Sequence, residues 1–271
     1  MTSSLSRFLI ALTFPVISIL LPLTAIAETS PIKIGVVLMH GKGGSPSKHV
    51  SDLASSLEGQ GFLVANLEMP WSGRRSYDVD VRTAEEEIES ALKTLRDKGA
   101  KKVFVAGHSQ GGLFALYFGS KHAVDGIIAI APGGNVDSQV FSENLGESVG
   151  LARKLIAEGK AEETTRLADY EGSKGVYPIT TTPAAYLTWF DPNGAMNETT
   201  AVQSMNPAIP VLFIAPKDDY PGLLKIKQQM FGALPKNPQT RLYEPPSGHK
   251  NAPSASVKEI VEWTTSLANP Q

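Results

Sequence analysis

Residues 102–118 read KVFVAGHSQGGLFALYF, and this stretch decides the fold. Its first five residues favour a buried strand, and the six residues from Leu113 onward are apolar and favour a buried helix. Between them, residues 107–111 read GHSQG and fit the G-x-S-x-G pattern. A strand that passes through this pattern into a helix places the serine on a sharp, exposed turn. We therefore predict that Ser109 is a nucleophile.

The same alternation of strand and helix patterns extends outward from this turn. It predicts a mostly parallel central sheet flanked by helices, an α/β fold. Thr83 and Glu86 form a capping-box pattern at the start of one predicted helix, which spans 83–98. The predicted strands are 32–39, 62–67, 102–106, 126–130, 211–215 and 240–243.

The alternation is interrupted between Pro132 and Pro207. A segment this long inside a compact domain is usually functional, and we expect a cap or lid insertion at about 133–207. Tyr186, Trp189 and Phe190 cluster in it, as the core of the cap or as the lining of a substrate pocket.

A serine nucleophile needs a histidine base, which an acid orients. In a strand–turn–helix site of this kind the chain order is serine, acid, histidine. His40, His49 and His108 precede Ser109, and His122 lies at the far end of the following helix. This leaves His249 as the predicted base. The acid is expected after the strand at 211–215, where two carboxylates compete, Asp218 and Asp219.

The chain as a whole resembles the α/β-hydrolase superfamily, in an exported, serine esterase-like or lipase-like form. The serine turn, the acid strand, the late histidine and His40-Gly41 carry the resemblance, in the expected order. Residues 210–219 resemble the P-x-L-x-I-x-G-x-x-D pattern, with Pro216 where glycine is usual. This register favours Asp219 as the acid, while Asp218 stays as the alternative.

The resemblance also implies an oxyanion hole, in which backbone amides stabilise the charged intermediate. One donor is the amide after the nucleophile, that of Gln110. The loop at 40–44, HGKGG, resembles the H-G-x loop of many esterases and makes the Lys42 amide the second donor. A phosphate-binding loop is the competing interpretation, but the glycine spacing matches neither common phosphate motif.

The first 27 residues differ from the rest of the chain. Arg7 is the only charge before Glu28, an apolar run covers 8–23, and Ala25-Ile26-Ala27 fits a cleavage site. We predict a signal peptide at 1–27, an α/β-hydrolase domain at 28–271, and export to the periplasm or the medium, with no stable membrane anchor after processing.

Composition narrows the function classes. The 271 residues carry a net charge of −2 and no cysteine, which excludes thiolate catalysis and Cys-ligated zinc. No basic stripe indicates a nucleic-acid partner, and neither a cofactor nor a metal is expected. Lys42, Lys48, Arg74 and Arg75 could form a cationic pocket mouth or be solvated surface charges.

These observations predict a serine hydrolase that cleaves a small or medium-sized carboxylic ester through an acyl-enzyme. A peptidase, a thioesterase or a lactonase with the same triad, and a non-catalytic ligand-binding protein that retains the fold, are the alternatives.

Overall fold

The computed structural model describes residues 32–172 and 174–269. The predicted signal peptide at 1–27 lies outside them. In the described part of the chain, six strands form one sheet: β1 (Ile34–Met39), β2 (Leu63–Leu67), β3 (Lys102–His108), β4 (Gly126–Ile130), β7 (Val211–Ile214) and β8 (Arg241–Tyr243). Two further strands, β5 (Thr165–Glu171) and β6 (Gly175–Thr181), pair with each other in an antiparallel hairpin.

The strand order in the main sheet is β2-β1-β3-β4-β7-β8, and every neighbouring pair is parallel. Nine helices connect the strands within the described residues: α1 (Ser51–Gly59), α2 (Val81–Asp97), α3 (Gln110–Gly119), α4 (Gln139–Ala157), α5 (Pro183–Phe190), α6 (Glu198–Gln203), α7 (Pro221–Ala233), α8 (Ala252–Ala255) and α9 (Val257–Ala268). The predicted α/β architecture with a parallel sheet is confirmed.

Helices cover both faces of the sheet because the strand side chains alternate between two apolar clusters. On β1, Val37 and Met39 belong to the cluster that includes residues of α2 and α3. Val36 and Leu38 belong to the other, which includes residues of α1 and α9. Strands buried on both faces explain the nearly continuous apolar runs in the sequence.

One helix start differs from the prediction. The helix begins at Val81 and not at Thr83, and Asp80 is its N-cap. The Asp80 carboxylate accepts a hydrogen bond from the Thr83 backbone amide at 2.8 Å. Asp is as favourable as Ser at the N-cap position and more favourable than Thr. The earlier start also adds Val81 to the buried face of the helix.

The segment at 131–210, between β4 and β7, is called the inserted segment here. It contains α4, the β5–β6 hairpin, α5 and α6. The Pro- and Thr-rich stretch at 177–183 supplies most of β6. Tyr186, Trp189 and Phe190 are buried in the apolar cluster, so their interpretation as core residues is the correct one.

Candidate active site

Ser109 lies on the turn between β3 and α3 with φ 56° and ψ −119°. A non-glycine residue in this region of backbone space is strained, and such strain is concentrated at functional sites. The neighbouring backbone leaves no room for larger residues, because a Cβ atom on Gly107 would lie 2.0 Å from the Gly111 carbonyl oxygen. The turn therefore requires glycine at position 107 and holds the serine at the carboxyl end of β3.

His249 and Asp219 meet at the carboxyl ends of β7 and β8. The Nδ1 atom of His249 lies 2.7 Å from Oδ1 of Asp219, and both side chains are buried. The same carboxylate oxygen accepts the Tyr220 backbone amide at 2.7 Å. Asp218 instead forms a backbone bridge with Gly248 and is exposed. Of the two carboxylates that compete in the sequence, only Asp219 contacts His249.

A second histidine, His108, contacts His249. Nε2 of His108 donates a hydrogen bond to the His249 carbonyl oxygen at 2.9 Å, and the two ring centroids are 4.8 Å apart. Burial, followed by the charge of His249, lowers the pKa of His108 to about 3. His108 is therefore neutral at physiological pH and adds no second positive charge beside His249.

The loop at 40–44 lies directly against Ser109. A Cβ atom on Gly41 would be 3.1 Å from the Cβ of Ser109. His40 is fully buried and fixes this loop: its Nε2 accepts the Met69 amide at 3.1 Å, so Nδ1 carries the proton and donates to the Gly41 carbonyl at 2.8 Å. Burial lowers the pKa of His40, which keeps this neutral tautomer.

The two predicted oxyanion donors come from this loop and from the first turn of α3. Within the part of the chain that the structure describes, neither the Lys42 nor the Gln110 backbone amide donates to a protein acceptor. Both residues line the same cavity as Ser109 and His249. These amides are available to an oxygen atom of a ligand.

The side chains of Lys42 and Gln110 converge on one carboxylate that sequence reasoning missed. Asp169 of β5 is fully buried and accepts Lys42 Nζ at 2.5 Å, Tyr77 OH at 3.1 Å and Tyr177 OH at 2.7 Å. Gln110 Nε2 donates to Tyr77 OH at 3.2 Å. Both β4 and α4 lie between Gln110 and Asp169 in the chain, so no local pattern could have indicated this carboxylate.

Three of the four residues of the suggested cationic mouth are neutralised. Lys42 pairs with Asp169, Arg74 with Glu68, and Arg75 with Glu87 at 2.7 Å. The interpretation as a joint cationic mouth is therefore wrong for Lys42, Arg74 and Arg75, whose charges are compensated by carboxylates.

A cavity of about 560 Å³ opens beside Ser109 and is called the apolar cavity. Helices α4, α6 and α7 supply most of its wall, and its apolar lining includes Val140, Phe141, Val202, Leu223, Ile226 and Met230. Two carboxyl groups, those of Glu171 and Glu198, interrupt this lining. Glu198 is buried, its Oε2 has no hydrogen-bond partner within the described residues, and burial raises its pKa to about 7.

A second cavity, of about 680 Å³, also reaches Ser109 and His249 and is called the basic cavity. Its charged and titratable lining includes Lys48, His49, His108, Glu171, Lys174 and Lys250. Ser109 and His249 are thus shared by two cavities of different chemistry.

The described residues contain neither a metal site nor a membrane span. No group of three or more His, Asp or Glu side chains at 32–172 and 174–269 is arranged to hold a metal ion. No helix in the same ranges is long and apolar enough to cross a membrane.

Known proteins resemble this chain in sequence. The sequence profile of a hydrolase family described as serine aminopeptidase, S33, matches residues 30–173, more than half of the chain. The chain is also similar to esterase EstD of Thermotoga maritima, with 26% identity over 168 residues. That match covers 56% of this chain and 39% of the esterase, so the chain spans well under half of its relative's length.

Solved structures share the fold. The α/β hydrolase GrgF from a Penicillium species has a TM-score of 0.65 at 16% identity, with 88% of this chain and 90% of that chain covered. The monoacylglycerol lipase of Paleococcus ferrophilus has a TM-score of 0.60 at 22% identity, with 86% and 94% covered. At these identities the likeness establishes the fold alone.

Proposed function

Because this chain belongs to the serine aminopeptidase S33 family of α/β hydrolases, we propose that it is a serine hydrolase that cleaves carboxylic esters through an acyl-enzyme. The observation that carries the proposal is the His249–Asp219 pair, at 2.7 Å, in a cavity that the strained Ser109 also lines. The similarity to a named esterase points to the same bond.

In the first step Ser109 is the nucleophile and His249 the base. His249 Nε2 takes the proton of the Ser109 hydroxyl while Oγ forms a bond to the ester carbonyl carbon. Nδ1 is already engaged by Asp219, which leaves Nε2 as the basic nitrogen. The carboxylate of Asp219 stabilises the imidazolium that forms. When the tetrahedral intermediate collapses, the carbon–oxygen bond to the alcohol breaks and His249 returns the proton to the leaving alcohol.

The amides of Lys42 and Gln110 hold the carbonyl oxygen as it becomes negative. A preorganised donor of this kind contributes about 10²–10³ in rate. The N-terminus of α3 adds favourable partial positive charge at the same point.

The second step mirrors the first with water in place of the alcohol. His249 removes a proton from water, the hydroxide oxygen bonds to the acyl carbon, and the bond to Ser109 Oγ breaks as His249 protonates it. The products are a carboxylic acid and the free enzyme, and no cofactor is needed.

The apolar cavity suits an apolar acyl group of small or medium size. The inserted segment supplies α4 and α6 to its wall, and in this sense serves as a cap over the substrate. Its volume of about 560 Å³ lies within the usual range of small-molecule pockets.

Labelling with a fluorescent fluorophosphonate tests the nucleophile, and p-nitrophenyl esters of increasing acyl length test the reaction. We expect the wild type to be labelled and to hydrolyse the shorter esters, and Ser109→Ala to do neither. Ser120→Ala is the matched control, because Ser120 ends α3 away from both cavities. Equal labelling of Ser109→Ala would refute the assignment. Tight ligand binding without turnover of any ester would favour a non-catalytic binding protein.

The description of the family favours a second candidate, amide or peptide hydrolysis by the same residues. A p-nitrophenyl ester and the p-nitroanilide of the same acyl group separate the two candidates. An ester hydrolase turns over the ester by several orders of magnitude faster than the anilide. Comparable kcat/KM values for both would favour the peptidase.

For the N-terminal residues we propose cleavage after Ala27 and export to the periplasm or the medium. Expression of the full chain in a bacterium, followed by intact-mass measurement of the exported fraction, tests this. A mature protein that begins at Glu28 is expected, and an uncleaved cytoplasmic product would contradict the proposal.

A further inference from the structure

Two cavities of opposite chemistry meet at the Ser109–His249 site. The apolar cavity is lined largely by α4, α6 and α7. The basic cavity is lined by the loop at 40–50, the β5–β6 turn and the segment that follows His249. Besides Ser109 and His249, the two cavities share Lys42, Glu171, Gly172 and Tyr220. An ester also has two parts, the acyl group and the alcohol. Both must bind so that the carbonyl carbon lies next to the nucleophile.

Four lysines from separate parts of the chain line the basic cavity, and one of them, Lys42, is already ion-paired. Lys48 lies in the loop before α1, Lys174 lies in the β5–β6 turn, and Lys250 directly follows the base His249. Lys174 pairs with Glu171 at 2.6 Å. No carboxylate within residues 32–172 and 174–269 pairs with Lys48 or Lys250. The cavity therefore carries two uncompensated positive charges beside the nucleophile.

His49 lines the same cavity and has a strained backbone conformation. Its φ is 62°, and its ring centroid is 6.3 Å from that of His108. Partial burial lowers the pKa of His49 first, and the charges of Lys48, Lys250 and His249 lower it further. Both lysines are thus close enough to act on one imidazole at the cavity wall, and a neutral His49 can donate or accept a hydrogen bond there.

From this geometry we infer that the substrate is an ester of an apolar acyl group with an alcohol that carries an anion, a carboxylate or a phosphate, and that Lys48 and Lys250 bind this anion in the basic cavity. The inference rests on the proposed function, because it assumes that Ser109 attacks the ester. It assigns the apolar cavity to the acyl group and the basic cavity to the leaving alcohol.

The basic cavity favours an anion because a negative ligand that reaches the cavity stabilises the unpaired positive charges of Lys48 and Lys250. Both lysine side chains are exposed, so their effect is modest and screened by salt. We expect each lysine to raise kcat/KM for an anionic ester by roughly twofold to fivefold at low ionic strength.

Matched ester pairs test the charge preference. Butyryloxyacetate carries a carboxylate on its alcohol side, and butyryloxyacetamide is its neutral counterpart of nearly equal shape. A second pair, 2-butyryloxyethyl phosphate and 2-hydroxyethyl butyrate, distinguishes phosphate from carboxylate. The measurement is the ratio of kcat/KM within each pair, at about 20 mM and about 500 mM NaCl. We expect a ratio of roughly ten for at least one pair at low salt, falling towards one at high salt.

Variants that remove a lysine charge test which residues cause the preference for the anionic ester. Lys48→Gln and Lys250→Gln should each lower the anionic-to-neutral ratio, and the double variant should abolish it. Lys258→Gln is the matched control, because Lys258 is exposed on α9 and lines neither cavity. A ratio near one in the wild type, or an unchanged ratio in the double variant, would overturn the inference.

Protection of Ser109 from fluorophosphonate labelling gives a second readout that does not depend on turnover. The anionic ester should protect at a lower concentration than its neutral counterpart. If the neutral esters are hydrolysed and no charge preference appears, the inference fails while the proposed function stands. If Ser109 is not labelled and no ester is hydrolysed, the proposed function fails, and the inference with it.

Discussion

At the scale of a single residue, Gly107 controls the geometry of the turn that carries Ser109. We predict that Gly107→Ala lowers the free energy of unfolding by more than about 3 kcal/mol, because its Cβ would overlap the Gly111 carbonyl group at 2.0 Å. Urea unfolding followed by circular dichroism measures the change, and fluorophosphonate labelling should be lost with it.

A glycine without neighbours provides the control for this substitution. Gly146 lies inside α4, and a methyl group added to it would meet nothing within 4 Å. Gly146→Ala should raise stability by about 0.5–1 kcal/mol through helix propensity. Equal stability of the Gly107→Ala variant and the wild type would contradict the steric account of the turn.

His108 makes the stability of the fold depend on pH. Its pKa is about 3 in the folded protein and 6.5 in a free side chain. As pH falls below 6.5 the unfolded chain takes up a proton that the folded protein does not, so folding is weakened progressively until about pH 3. From pH 6.5 to pH 5 this one residue should cost about 1.5 kcal/mol.

Urea unfolding of the wild type and of His108→Gln at pH 6.5 and pH 5.0 checks this prediction. Glutamine does not titrate, so the variant should lose less stability between the two pH values. The difference between the two proteins isolates His108 from other groups, such as Glu198, that titrate in the same range. Parallel losses in both proteins would show that His108 is not buried as a neutral ring.

At the scale of elements, the β5–β6 hairpin is attached to the candidate active site through Asp169. The carboxylate compensates Lys42 and, through Tyr77, contacts the Gln110 side chain. We predict that Asp169→Asn lowers the free energy of unfolding by about 3–5 kcal/mol, because the Lys42 charge would stay buried without its partner. Its kcat for p-nitrophenyl butyrate should fall as well, since both proposed oxyanion donors, Lys42 and Gln110, lose an anchor.

A compensating double variant tests whether the lost stability comes from the unpaired buried charge. Lys42→Met together with Asp169→Asn removes both charges and should recover part of the lost stability. If Asp169→Asn has the same urea midpoint as the wild type, the Lys42–Asp169 ion pair contributes nothing to stability. The hairpin would then not be anchored through Asp169.

At the scale of the whole molecule, the inserted segment and the sheet share one apolar cluster. Trp189 of α5 packs with Trp71 and Phe114, and its indole donates to the Val79 carbonyl. Trp263 of α9 belongs to the cluster on the opposite face of the sheet. Continuous packing of this kind predicts that the inserted segment unfolds together with the sheet.

Tryptophan fluorescence can follow the face with the inserted segment by itself. In Trp263→Phe the remaining signal reports the face with the inserted segment, and in Trp189→Phe it includes the opposite face. Within each variant, the fluorescence and far-ultraviolet circular dichroism transitions should coincide. An earlier fluorescence transition in Trp263→Phe alone would identify the inserted segment as a separate folding unit.

The sequence by itself determined the parallel α/β architecture and the strand–turn–helix around Ser109, because strand and helix patterns and close glycine packing are local properties of the chain. It also left His249 as the one histidine in the expected order. The sequence register favoured Asp219 over Asp218, but only the tertiary structure shows which of the two contacts His249, because neighbouring side chains point in different directions. The pairing of Lys42 with Asp169, the burial of Glu198 and the two uncompensated lysines arise from contacts between distant segments, which no local pattern encodes.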